Sequence, residues 1–299
     1  MKRRSVAGPQ SGGGASSAAV APSAAATPPA AVTPPEARTR TNPDRQFVTA
    51  LARGLEILRC FNANRLELGT MEIASLTGLP QPTVWRLCHT LMRSGYLAPS
   101  PANGKLRIGV GVLALGYAAV ATLDIGELAL REMQRLALDF HVACSLAAAD
   151  RTDMLIVQRA LDPNSMLVVN LHVGSRLPMA TSSVGWAYLA RASEPVRSAR
   201  LRELERRYGS EWPAMRETIE AAIDAYHRRG YVLNRRVYHR DINAIAVPIV
   251  SDDGSQIYAL NCGGPAAAIT VKKLEKEIAP RLIELAGLIR FGLFAGQRR

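Results

Sequence analysis

Gln81, Thr83, Trp85 and Arg86 place amide, hydroxyl, aromatic and cationic groups close together. They lie in a stretch that reads TMEIASLTGLPQPTVWRLCHTLMRSGY from Thr70 to Tyr96. A guanidinium matches the O6/N7 edge of guanine, and an amide presents a donor beside an acceptor. Such side chains can read base edges if one element holds them on a common outward face. The spacing supplies that element. Val84, Leu87 and Leu91 recur at i, i+3 and i+7, one apolar face of a helix. Pro80 and Pro82 fall in the turn and first helical positions, where a missing N–H costs least. Gly78 fits a turn that requires positive φ, and Ala74 is small where two helices cross. The pattern predicts a helix-turn-helix whose second helix points Gln81, Thr83, Trp85 and Arg86 into a major groove.

The chain after this motif extends the reading. Pro99-Ser100-Pro101-Ala102-Asn103-Gly104 is a turn cluster, and Lys105-Leu106-Arg107-Ile108 alternates basic and apolar residues as a strand does. Helix, helix, strand, turn, strand is a winged arrangement, and Lys105 and Arg107 beside the turn suit phosphate contacts. Arg53, on the outer side of an earlier helix, is a further phosphate candidate. That first helix is expected over Phe47–Asn62, with Val48, Leu51, Leu55, Leu58 and Phe61 forming the face that packs behind the motif.

Composition agrees with a nucleic-acid-binding end. The net charge is +12 over 299 residues. Residues 1–46 hold six Lys/Arg against two Asp/Glu, residues 47–116 seven against three, and the remainder 24 against 20, so the basic excess is densest at the front. Residues 1–44 are Ala/Pro/Gly/Ser-rich with almost no large aliphatic residues, and are expected to be a disordered tail. No apolar run is long enough for a membrane span, and no apolar segment follows the basic start as a secretory signal requires. A cytoplasmic location is expected. Cys60, Cys88, Cys144 and Cys262 are scattered, with no C-x-x-C pair, and read as buried free thiols.

Enzyme chemistry finds little support. A nucleophile elbow around Ser183 would need Gly where Thr181 stands. The five histidines have no metal-ligand spacing, and His239-Arg240-Asp241 reads as a solvated loop. Gly109-Val110-Gly111 and Gly263-Gly264 are not phosphate loops. No cofactor is expected. The competing class is a small-molecule-binding protein or enzyme whose N-terminal helices serve only assembly.

The rest of the chain mixes strands and helices without a strict βαβ repeat, which predicts an α+β fold with an antiparallel sheet flanked by helices. Strands are expected at Cys144–Ala149, Met154–Ala160, Leu167–Leu171, Tyr231–Val237, Ala244–Val250 and Ile257–Asn261. Helices are expected at Gly109–Ala121, Leu128–His141, Thr181–Arg191, Pro195–Tyr208, Trp212–Arg229 and Thr270–Phe294. The apolar stretch at the domain junction suits a dimer contact. The expected division is a tail at 1–44, a winged helix-turn-helix at 45–108, a linker helix at 109–123 and a second domain at 124–299.

Five collinear segments in residues 47–295 resemble the IclR family of bacterial transcriptional regulators. They are ARGLEIL, LPQPTVWRLCHTLMRSGYL, GKLRIGVGVLALG, VGSRLPMATSSVGWAYLA, and the group RRGYVLNRR, NAIAVPIVSDDG and ALNCGGP. The resemblance implies a winged-helix DNA-binding domain joined to a GAF-like effector-binding domain. It also implies a double-stranded DNA operator, a homodimer or dimer of dimers, and contact with RNA polymerase. Carried over position by position, it lines the effector site with Ser183, Val184, Asn234, Ala244, Asn261 and Gly263, and brings in the adjacent Asp241, Asn243 and Cys262. Trp186 stands where the family has Lys. Free N–H groups where Ser182-Ser183-Val184-Gly185 opens a helix suit a carboxylate. Asn234 and Asn261 can orient a ligand by hydrogen bonds. A small organic acid, with an aromatic acid as one form, is the expected effector.

Overall fold

A computed structural model describes residues 46–62, 65–121, 127–165 and 170–294. The tail expected at 1–44 lies outside the described residues, as do most of the strand expected at Leu167–Leu171 and part of the linker.

The first module is three helices and a small sheet. Helices α1 (Thr49–Arg59), α2 (Thr70–Thr77) and α3 (Gln81–Arg93) pack around Ile57, Ile73, Val84 and Cys88. Gly78 ends α2 at φ +67°, a left-handed conformation that favours glycine, and turns the chain toward Pro80 at the start of α3. Strands β1 (Glu67–Leu68), β2 (Leu97–Pro99) and β3 (Leu106–Ile108) form an antiparallel sheet in the order β1-β3-β2. Leu68, Leu97 and Leu106 tie this sheet to the helical core.

The expected packing face of α1 holds at its far end, where Leu58 and Phe61 join the module's core, and needs correction at its start. Gly54 and Ile57 are buried, whereas Val48, Leu51 and Leu55 are 62%, 63% and 52% exposed. The helix carries two apolar stripes, and the one that reaches this module's core is offset from the one the periodicity favoured. Helix α4 (Val110–Ala121) is apolar and largely exposed, with Leu113, Leu115 and Tyr117 among its bare side chains.

The second module is built on a six-stranded antiparallel sheet in the order β6-β5-β4-β9-β8-β7. Its strands are β4 (Ala143–Asp150), β5 (Asp153–Leu161), β6 (Arg176–Pro178), β7 (Val232–Arg235), β8 (Ile242–Val250) and β9 (Ile257–Pro265). Alternation sorts the side chains. Cys144, Leu146, Ile245, Val247, Leu260 and Cys262 join α5 (Glu127–Phe140) and α10 (Ala279–Phe294) in one core. Ala147, Ala246 and Ala259 face the other way, toward α6 (Ser183–Arg191) and α8 (Trp212–Arg229), with α7 (Glu194–Tyr208) alongside. The long helix expected over Thr270–Phe294 is divided: α9 (Val271–Lys273) and a π turn (Leu274–Ile278) precede α10.

Helix α6 is buried from Ser183 through Ala190. Ser182 caps it, its Oγ accepting from the Gly185 N–H at 3.2 Å. Trp186 is 2% exposed and donates its Nε1–H to the Ala180 carbonyl at 2.8 Å. At Gly185 a Cβ would lie 2.2 Å from the Met179 carbonyl oxygen. Backbone on both sides leaves nothing flexible to yield. Gly185→Ala is therefore expected to destabilise the protein by about 1–3 kcal/mol through overpacking. Urea unfolding followed by tryptophan fluorescence checks it; an unchanged midpoint would contradict the close approach.

Candidate functional site

Helix α3 separates its faces cleanly. Val84 and Cys88 are buried, while Gln81, Trp85, Arg86, His89, Thr90 and Arg93 are exposed. Thr83 is half-buried, so less of it faces solvent than of its neighbours. Trp85 is 57% exposed and stacks on His89, one turn along, with ring centroids 5.6 Å apart. The helix contains no acidic residue.

The wing turn is held by a residue the sequence reading passed over. The Glu67 carboxylate accepts from Ser100 Oγ at 2.6 Å and from Asn103 Nδ2 at 2.9 Å. These two hydrogen bonds, aided by Lys105 and Arg107, keep the Glu67 pKa below the ordinary glutamate value. Glu67 lies opposite Arg107 in the sheet register. Only that pairing, which depends on the fold, marks it.

Of the phosphate candidates, Arg53 and Arg107 are exposed. Lys105 is half-buried and pairs with Glu72 of α2 at 3.0 Å, which alters the expectation of a free cation. Glu72 also accepts from the Gly69 N–H at 2.6 Å, so the same carboxylate organises the start of α2 and tethers the wing.

The second module holds a partly open cavity between the sheet and the start of α6. Its floor is two cross-strand rows. Arg159, Ser145 and Asn261 sit opposite one another on β5, β4 and β9, and Ala143, Gly263, Ala244 and Asn234 form the next row across β4, β9, β8 and β7. Leu171, Leu177, Ile242 and Pro265 supply apolar wall, and Ser182, Ser183, Tyr238 and His141 further polar groups. No Asp or Glu is among the described lining residues.

Five of the nine expected residues line this cavity: Ser183, Asn234, Ala244, Asn261 and Gly263. Four do not. Val184 is fully buried in the core around α6. Cys262 points to the opposite sheet face, against Cys144, and burial pushes its thiol pKa up. Asn243 also faces away, donating Nδ2–H to the Ile269 carbonyl at 2.9 Å. Asp241 is exposed beside Arg240, at 3.4 Å. Strand alternation is the reason for the Asn243 and Cys262 errors, since each is adjacent to a lining residue and so points to the other face. Asn234 lines the cavity but is held by the backbone: Nδ2 donates to Thr181 O at 2.7 Å, and Oδ1 accepts from the N–H groups of Val237 and Tyr238.

The sequence reading missed Arg159, Ser145, Tyr238 and His141. Gln158-Arg159 does break the apolar run of β5, which was the available signal. Arg159 Nη1 donates to Ser145 Oγ at 3.3 Å, while its buried Nε has no hydrogen-bond partner. Burial lowers its pKa, opposed by Tyr238 and Cys144. The buried Asn261 Oδ1 likewise has no partner.

Comparison with known proteins agrees with both halves. The helix-turn-helix model of the IclR family matches residues 50–101, and the model for the C-terminal part of the bacterial transcriptional regulator IclR matches residues 117–290. The HTH-type transcriptional regulator TsaQ1/TsaQ2 of Comamonas testosteroni is 31% identical over 80% of this chain and 86% of its own length. The Pca regulon regulatory protein of Pseudomonas putida is 28% identical over 80% of this chain and 82% of its own. The crystal structure of an IclR family transcriptional regulator from Brucella abortus covers 85% of this chain and 95% of its own, at 42% identity and a TM-score of 0.77. An IclR homologue from Microbacterium hydrocarbonoxydans, complexed with 4-hydroxybenzoate, covers 82% and 98% at 28% identity and a TM-score of 0.62. An exposed, acid-free helix, a wing and a cavity in the second module accompany these matches, and the chain belongs to the IclR family of ligand-responsive, DNA-binding transcriptional regulators.

Proposed function

We propose that α3 enters the major groove of an operator and reads base edges through Gln81, Thr83, Trp85 and Arg86, while Arg107, Lys105 and Arg53 contact phosphates. The observation that carries this reading is the exposed, acid-free face of α3 opposite its buried Val84 and Cys88. The cavity over β4, β5, β8 and β9 takes a small organic acid, in keeping with the lack of carboxylates among its described lining residues and with the aromatic acid bound to the Microbacterium homologue. The protein acts as a regulator and not as an enzyme, in the cytoplasm. The division is a DNA-binding unit at 45–108, a linker helix at 109–123 and a sensing unit at 124–299.

Assembly as a homodimer is part of the same proposal. Phe47, Val48, Leu51 and Leu55 on and before α1, and Val110, Leu113, Leu115 and Tyr117 on α4, are all more than half exposed. Bare apolar surface of this extent favours a protein contact. Two DNA-binding units so joined would meet two half-sites, and RNA polymerase is the partner through which an activator would work.

Three measurements test the reading. Arg86→Ala is expected to weaken operator binding by about 1–3 kcal/mol and to relax selectivity at one base pair, as read by fluorescence anisotropy on single-substitution duplexes. Equal loss on every duplex would reduce Arg86 to a phosphate contact. Arg107→Ala should lower the slope of log affinity against log salt by about one unit. Lys105→Ala should lower it less, because Glu72 already neutralises part of its charge; equal slopes would show that the pair opens on DNA. A thermal-shift screen of the full chain with benzoate, 4-hydroxybenzoate and aliphatic acids should raise the melting temperature for at least one acid. No shift with any acid would exclude the effector assignment.

A further inference from the structure

Buried polar groups in a folded protein almost always find partners. The cavity holds two that do not: the Arg159 Nε–H, a donor, and the Asn261 Oδ1, an acceptor. Both residues line the cavity, with these two atoms buried behind its surface, and both lie in one register row, on the strands either side of Ser145. With neighbouring strands about 4.8 Å apart, their backbones are about 10 Å from each other. The Arg159 side chain reaches toward β4, where Nη1 donates to Ser145 Oγ, which draws the guanidinium toward the middle of the row.

The two orphans differ in kind. No carboxylate pairs with Arg159 among the described residues, and the nearby Tyr238 is a phenol whose pKa burial raises. A cation partly removed from water without a counter-ion is costly to keep, unless an anion completes it on binding. The planar guanidinium matches a carboxylate better than a point charge would. Asn261 Oδ1 needs a donor instead, and a carboxylate has none. The apolar residues that complete the wall, Leu171, Leu177, Ile242 and Pro265, suit a hydrocarbon body between the two groups.

We infer that the cavity selects a hydroxylated carboxylic acid: the carboxylate pairs with the Arg159 guanidinium, and a hydroxyl on the far side of the ligand donates to Asn261 Oδ1. This deepens the acid-sensing reading above and rests on it. It assigns the two ends of the ligand to two named side chains, neither of them the start of α6. Ser145, between them, positions Arg159.

Isothermal titration of the full chain with 4-hydroxybenzoate, benzoate and 4-hydroxybenzamide tests both assignments. The wild-type chain should prefer 4-hydroxybenzoate over each of the others. Arg159→Met should weaken 4-hydroxybenzoate about 10- to 100-fold and abolish the preference for acid over amide. Asn261→Ala should retain that preference and lose the one for 4-hydroxybenzoate over benzoate. The melting temperature of ligand-free Arg159→Met should equal or exceed that of wild type, since an unpaired buried charge is removed. A melting temperature several degrees lower for Arg159→Met and for the neutral, polar Arg159→Gln alike would make Arg159 a structural support and overturn the inference; where only Arg159→Met is destabilised, Arg159→Gln carries the titration. If the acids bind wild type and both variants alike, this inference alone falls. If wild type binds none of the three, the acid-sensing reading falls and takes this inference with it.

Discussion

Gly185 lets helix α6 lie against the backbone at Met179 at a distance that no side chain would permit. Much of the sensing unit depends on that approach. It seats Trp186 in the core with its indole N–H on the Ala180 carbonyl, and it fixes Ser182 as the helix cap. The sheet facing α6 offers alanines at 246 and 259, so a fully buried helix fits without a thick layer of side chains between. Beyond the start of α6 this layer opens, and the sheet residues there are small or polar: Ala143, Ser145, Ala244, Asn261 and Gly263. The cavity is thus where a tightly packed layer ends. It does not require a gap in the sheet.

The economy of hydrogen bonds makes the same distinction. Asn234 and Asn243 are almost wholly buried and satisfied by backbone groups, one locking the turn after β7 to the chain before α6, the other holding the chain after β9. Their side chains are tied to backbone groups of the protein itself. Arg159 and Asn261 break that rule inside a cavity, where a ligand can restore it. A buried polar group is informative about function in proportion to what it lacks.

The DNA-reading half was legible because its rules are local. Gly78, Pro80 and Pro82 mark a turn and a helix start within five residues, and the 3.6-residue period then fixes which side of α3 faces out. Thr83 was the partial exception, half-buried at the margin of that face. The cavity was legible only in outline. Ser145, Arg159 and Asn261 are brought together by strand register over more than a hundred residues of chain, and no local pattern announces a register. Asn243 and Cys262 were misplaced for the same reason, since a neighbour of a lining residue on a strand belongs to the other face. On α1 the difficulty was different. Two apolar stripes on one helix satisfy the same periodicity, and choosing between them requires knowing which other surfaces are present.

The two units also touch through charge. Asp150, the last residue of β4, lies 3.3 Å from Arg59 of α1 and also pairs with Arg176 of β6. Arg176 precedes Leu177, which lines the cavity, and the other end of β5 carries Arg159. One carboxylate therefore joins the strand pair that walls the ligand space to the first helix of the DNA-binding unit. Each of these pairs is partly exposed, with side-chain exposures of 39% and 38% for the arginines and 23% for Asp150. Pairs in such a setting are worth about 0–1 kcal/mol each. The pair therefore adds little to stability by itself, and its structural content is the connection it makes between the two units.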